Sequence, residues 1–166
     1  SYLSQILDKL EESNIRATFF CLGSVADKYP QVIRKIHNKG HHIGCHSFSH
    51  KFWTNATYKE VEDDTKKALD ILQNITGSKI NAYRAPAFSI TPKNVWIFEI
   101  LLNFGIKYDC SIFPANRSFG GFPNFHKSPV NISINGGVIK EFPISIENIF
   151  GKELTYAGGG YFRLLP

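Results

Sequence analysis

The sequence predicts an α/β fold built on a parallel sheet, and three observations carry that prediction. Amphipathic helical stretches alternate with short apolar strands about four times along the chain. The strand at Ala17–Leu22 is a near-continuous apolar run, as expected of a strand covered on both faces. His46, His50, Arg84 and Asp109 all fall just after a strand, and in parallel sheets ligands gather at the carboxyl ends of strands. Right-handed crossovers then leave an open doubly wound sheet or a barrel.

The elements come in this order. Tyr2, Leu3, Ile6, Leu7 and Leu10 recur at helical spacing and predict an amphipathic helix over Tyr2–Glu12. Ala17–Leu22 is the first strand, closed by Gly23, and Ser24 can cap a short turn. Pro30 suits the first position of a helix carrying Val32, Ile33 and Ile36 and ended by Gly40. His42–Cys45 is the second strand. Thr57 and Glu60 have capping-box spacing, ahead of a helix with Val61, Ala68, Leu69 and Leu72 on one face and Gly77 at its end. Ile80–Tyr83 is a strand. Thr91-Pro92 opens another helix, with Val95, Phe98, Ile100, Leu101 and Leu102 inside and Gly105 just beyond. Ile106–Tyr108 is the next strand. A loop-rich stretch from Phe113 to Pro129 leads to a turn signal at Asn135-Gly136-Gly137, between candidate hairpin strands Asn131–Ile134 and Val138–Phe142.

Composition narrows the function. With 166 residues, 43% hydrophobic and 20% charged, the chain holds enough apolar side chains for a core. The net charge of +5 is scattered. The densest basic pair, Lys66-Lys67, shares a helix with Glu60, Glu62, Asp63 and Asp64, which reads as a solvated face. No basic stripe or nucleic-acid motif is present, so nucleic acid is not an expected partner. Cys21, Cys45 and Cys110 lack C-x-x-C spacing and are expected to be buried free thiols. No run of 18 apolar residues exists, so no transmembrane segment is expected in this chain. Location stays open between the cytoplasm and the cell envelope of a bacterium. The chain has no Met and starts at Ser1, directly before a helix, which suggests a piece of a longer protein.

His46-Ser47-Phe48-Ser49-His50 places two imidazoles four residues apart after a strand, where both can face one metal ion. Neutral imidazole suits zinc and several other divalent transition metals. The alternative is a pair of surface or core-satisfied histidines. A third ligand is Asp109 or lies outside the chain, because Glu60 and Glu62 sit on a capped, solvated helix. Arg84 ends a strand beside a rigid Pro turn; it either serves a site or caps the sheet and pairs with an acid. Asp109 is a site residue or a turn cap.

Several segments resemble one family, the polysaccharide deacetylases, carbohydrate esterases that act on chitin-like, peptidoglycan and exopolysaccharide sugars. Ala17-Thr18-Phe19-Phe20 resembles the family's A-T-F-F strand. Lys39–His50 resembles its G-H-E-I-x-x-H-[ST]-x-x-H segment, and Tyr83–Ile90 its R-x-P segment. Tyr108–Pro114 and Gly158–Pro166 resemble the branch associated with exosortase and exopolysaccharide loci. His42 stands where the family usually has Glu.

The resemblance implies a distorted, incomplete (β/α) barrel. It implies metal-dependent hydrolysis of acetamides on an N-acetylhexosamine polysaccharide, with His46 and His50 as ligands of a divalent metal, most simply zinc. Arg84 would orient the catalytic carboxylate, the Ala87 N–H would serve the oxyanion, and Asp109 would support Arg84 or the site wall. Phe88, Tyr161 and Phe162 would stack on sugar rings. The family's first strand carries a metal-binding Asp and the general base, and a late segment carries a histidine acid. The chain is therefore expected to be a single domain over 1–166 that lacks both, inactive and poorly stable by itself. Three other readings stay open: a ring-opening amidohydrolase of the same fold, a non-catalytic glycan-binding relative, and a structural domain with incidental histidines.

Overall fold

The computed structural model describes residues 2–117, 120–149 and 152–155. Helices α1 (Tyr2–Glu12), α2 (Gly23–Lys28), α3 (Pro30–Asn38), α4 (Tyr58–Thr76) and α5 (Ile97–Asn103) alternate with strands β1 (Thr18–Cys21), β2 (His42–Cys45), β3 (Ala82–Tyr83) and β4 (Tyr108–Asp109). Strands β5 (Val130–Ile134) and β6 (Gly137–Glu141) complete a sheet of order β1-β2-β3-β4-β6-β5, and β7 (Ile146–Ile149) pairs with β8 (Lys152–Thr155) separately. Strands β1 to β4 and β6 run parallel, and β5 is antiparallel to β6. The result is the parallel α/β sheet that the alternation predicts, arranged as the (β/α) fold that the resemblance implies, with β1 at one edge of the described sheet.

Side-chain alternation decides which face is covered. Ile43, Cys45, Tyr83, Asp109, Ile139 and Glu141 are buried, and the apolar members join Ile33, Ile36, Leu69, Leu72, Phe98 and Leu101 of the helices in one core. On the opposite face Thr18, Phe20, His42, Ala82, Tyr108, Cys110 and Phe142 line an open cleft of about 420 Å³. The capping box of α4 forms as its spacing predicts, with Thr57 and Glu60 exchanging hydrogen bonds, and Gly77 ends the helix in the left-handed region. The hairpin turns on Asn135 and Gly136, both at positive φ (49° and 81°), the conformation that favours Asn-Gly in two-residue turns.

Several expectations need correction. Strands β1, β3 and β4 are shorter than the apolar runs around them: β1 loses a residue at each end, while β3 and β4 start two residues late and β4 runs on to Asp109. Ser24 caps nothing: α2 starts at Gly23, and the N–H groups of Gly23 and Ser24 donate to the carbonyls of Ser47 and Phe48. Helix α5 starts at Ile97, leaving Val95 exposed. The cause is Asn94, whose buried side chain accepts from Thr91 N and donates to the Trp53 and Ser89 carbonyls, so 91–94 form a side-chain-closed turn. Tyr2 and Ile6 of α1 are exposed and only Leu7 is fully buried. The three cysteines are free thiols, Cys45 buried and Cys21 and Cys110 half-buried.

Candidate active site

The carboxyl ends of β2, β3 and β4 bring His46, Arg84 and Cys110 side by side, because parallel register aligns the residues just past each strand. Cys45 is the register partner of Tyr83, and Tyr83 of Asp109. Arg84 N donates to the Cys45 carbonyl and Cys110 N to the Tyr83 carbonyl.

The His46 and His50 rings are 5.1 Å apart, centroid to centroid, and nearly perpendicular. His46 Nδ1 lies 2.6 Å from the carbonyl oxygen of Arg84. An acceptor there requires Nδ1 to carry the proton, which leaves Nε2 with its lone pair, the tautomer of a metal ligand. Burial pushes the His46 imidazole below its ordinary histidine value, against the hydrogen bond to Arg84. His46 is therefore neutral at pH 7, as ligation requires.

The turn carrying the histidines is tied down atom by atom. Asp64 of α4 accepts from Phe48 N at 2.7 Å, from Ser49 N at 3.0 Å and from Ser49 Oγ at 2.5 Å. His50 N donates to Ser47 Oγ at 3.0 Å. Lys67 lies over the Phe48 ring at 3.7 Å. Ser47 and His50 hold φ values of 64° and 59°, and non-glycine residues adopt such values when their surroundings impose them. Asp64 corrects the reading of this α4 face as merely solvated. Its sequence signal is faint, an acid 14 positions after His50 on a helix already rich in acids.

Arg84, whose carbonyl meets His46, directs its side chain elsewhere. Its guanidinium sits 4.4 Å from the Phe20 ring and 5.8 Å from the Phe88 ring, and Nε donates to the Cys110 carbonyl at 3.2 Å. Among the described residues no carboxylate forms an ion pair with it, Asp109 included. Asp109 is buried and accepts from Ser111 N and Ser111 Oγ, and Ser111 Oγ accepts from Ala85 N. Its hydrogen bonds thus brace the wall behind Arg84.

Ala87 and Phe88 both have φ of 53°. Their carbonyls are approached by Gly120, where an added Cβ would stand 2.6 Å from Phe88 O and 3.3 Å from Ala87 O. Phe88 also packs with Phe113, ring centroids 6.1 Å apart. Tyr161 and Phe162 lie outside the described residues. His41 is buried, its Nδ1 accepting from Ala17 N at 3.4 Å, a structural placement.

The residues present fit part of a metal site: two imidazoles near one another, one with its tautomer fixed. Among the described residues no third His, Cys, Asp or Glu joins them. No helix among them is long and apolar enough to cross a membrane.

The parallel α/β sheet, with a histidine pair and an arginine just past adjoining strand ends, defines an α/β scaffold whose polar residues gather at the carboxyl edge of the sheet. A family model for polysaccharide deacetylase matches residues 1–108, and one for a domain of unknown function, DUF3473, matches residues 110–166. The chain belongs to the polysaccharide deacetylase family. It is 36% identical over 85 residues to a peptidoglycan-N-acetylglucosamine deacetylase of Bacillus cereus, covering 51% of this chain and 31% of that protein. It is 33% identical over 85 residues to the peptidoglycan-N-acetylmuramic acid deacetylase PdaA of Bacillus subtilis, covering 51% and 32%. Among solved structures, one from Mycobacterium smegmatis assigned to the polysaccharide deacetylases superimposes with a TM-score of 0.74 at 25% identity, covering 86% of this chain and 45% of that one. The chain thus spans less than half the length of each of these relatives.

Proposed function

We propose that the full-length protein hydrolyses acetamide groups on N-acetylhexosamine units of a polysaccharide, with a divalent metal, zinc by ligand chemistry, held in part by His46 and His50. The observation that carries this reading is the hydrogen bond from His46 to the Arg84 carbonyl, which joins the histidine turn to the R-A-P segment and fixes His46 as a lone-pair donor. The names of the relatives, which act on peptidoglycan sugars, support the substrate class. The exopolysaccharide branch suggested by Gly158–Pro166 favours an extracellular polymer.

A bound divalent metal supplies Lewis acidity toward the amide oxygen and toward water. The chain's residues do the positioning. His46 and His50 present imidazole nitrogens from a turn that Asp64 ties to α4. Arg84, anchored over Phe20 and on the Cys110 carbonyl, orients the carboxylate that takes the water's proton. The Ala87 N–H donates to the oxygen that becomes negative in the transition state. Phe88, with Tyr161 and Phe162, offers aromatic faces to sugar rings.

The test is acetate release from an N-acetylglucosamine oligomer by the full-length protein, with and without chelator, against a His46→Ala/His50→Ala control. Chelator-sensitive release above the control is expected. Binding of the oligomer without release would instead favour a non-catalytic glycan-binding relative, and hydrolysis of cyclic amides alone a ring-opening amidohydrolase.

A further inference from the structure

Behind the R-A-P turn two carboxyl groups face each other in the core. Asp109 of β4 and Glu141 of β6 are register partners in a parallel pair, and both are fully buried. Register pairing in a parallel ladder sends the two side chains off the same face of the sheet from adjacent strands, and each carboxyl shifts the ionisation of the other. Asp109 takes two donors from Ser111, its N–H at 3.0 Å and its Oγ–H at 2.7 Å. Glu141 takes one, Ile112 N at 3.0 Å on Oε1. Its Oε2 is buried, and no donor among the described residues reaches it.

Two ionised carboxylates in that position would repel in a dry core and leave the buried Oε2 without a donor. One proton removes both problems, because a carboxylic acid donates to a carboxylate in a charge-assisted hydrogen bond. Asp109, with two donors, keeps the charge; Glu141, with one, takes the proton. Burial and the neighbouring Asp109 push Glu141 up to about 11, in agreement with that assignment. The other titratable groups nearby are Cys110, beside Asp109, and Tyr83 of β3, which faces Asp109. Opposite Glu141 on β5 stands Val130, and Glu99 of α5 lies at the far end of β6, near Gly137.

The proton orders a chain of hydrogen bonds. Glu141 donates to Asp109, Ser111 Oγ donates to Asp109, and Ser111 Oγ accepts from Ala85 N at 2.8 Å. Ala85 comes directly after Arg84, whose carbonyl holds His46. We propose that Glu141 is a neutral carboxylic acid that, through Asp109 and Ser111, is a positioning residue for the peptide carrying Arg84 and Ala87. This rests on the deacetylase reading for the roles of Arg84 and Ala87; the protonation and the linkage to Ala85 do not.

The experiment compares the full-length protein with Glu141→Gln and Glu141→Leu at pH 8. Infrared spectra should show the carbonyl stretch of a protonated carboxylic acid in the wild type, absent from Glu141→Gln. Hydrogen exchange at the Ala85 amide should stay slow in Glu141→Gln, whose amide still donates to Asp109, and quicken in Glu141→Leu. Turnover should fall by roughly 10-fold to 100-fold in Glu141→Leu with KM held, and be largely rescued in Glu141→Gln. A wild type without the band, or one unchanged in Glu141→Gln, overturns the proposal. So does Ala85 exchange that is the same in both folded variants. Should Glu141→Leu fail to fold, the band and the Ala85 exchange of Glu141→Gln still decide. A protein with no deacetylase activity but with the band and the exchange pattern would sink the functional reading and leave the proton pair standing.

Discussion

His46 Nδ1 and the carbonyl oxygen of Arg84 stand 2.6 Å apart, across 38 positions of sequence. This one bond ties a side chain after β2 to the backbone after β3, so the two best motifs in the chain share a single local geometry. It also makes the imidazole's free nitrogen the one that faces chemistry.

Replacing both His46 and His50 by Ala in the full-length protein should abolish bound divalent metal, measured by elemental analysis after dialysis. Two of the usual three or four protein ligands would be gone. Unchanged stoichiometry would refute the assignment.

Arg84→Ala should lower kcat and kcat/KM together, by roughly 100-fold, with KM little changed, since orientation of a base acts in the transition state. Steady-state kinetics on the oligomer checks it; a rise in KM alone would make Arg84 a substrate clamp. The lost contact with Phe20 should also remove about 1 kcal/mol of stability in thermal melts.

Asp64→Ala deprives Phe48 N, Ser49 N and Ser49 Oγ of their acceptor. Destabilisation of about 1–3 kcal/mol is expected, with weaker metal binding because the histidine turn loses its anchor. Denaturant unfolding and metal titration measure the two effects. Metal affinity equal to wild type in a folded Asp64→Ala would mean that the turn holds itself.

Stability should fall as pH rises above about 4.5, the ordinary glutamate value, toward about 11, where burial and Asp109 place Glu141 in the folded chain. In that window the folded state binds a proton that the unfolded state has lost. The contribution is therefore whole below about 4.5 and diminishes by up to about 1.4 kcal/mol per pH unit above it. Glu141→Gln has no proton to lose, so its stability should decline less with pH. Parallel curves for the two proteins would contradict this.

Gly120→Ala should destabilise by about 1–3 kcal/mol, because φ is 71° and the new methyl would meet the Phe88 carbonyl. Differential scanning calorimetry reads the shift. A neutral result would mean that the Ala87-Phe88 turn can move away, which would undermine Ala87 as a fixed oxyanion donor.

The sequence by itself determined most of the elements and the class of fold. Helix α1 and strand β2 have the limits their periodicity predicts, and the Thr57 capping box and the Asn135-Gly136 turn form where their residues stand. These are local effects, written in spacings of two to four residues. The family resemblance, carried by ordered motifs, was legible for the same reason. The tertiary structure alone decided who partners whom. Asp64 looked like one more solvated acid, and only the packing of α4 against the turn after β2 makes it an anchor. Val95 looked like core, and a buried Asn94 turned it outward. Glu141 looked like a strand end, and only the β4–β6 register sets it against Asp109, 32 positions earlier. Hydrogen bonding and carboxyl ionisation depend on distances of a few ångströms between segments far apart in the chain, and no periodicity in the sequence encodes those.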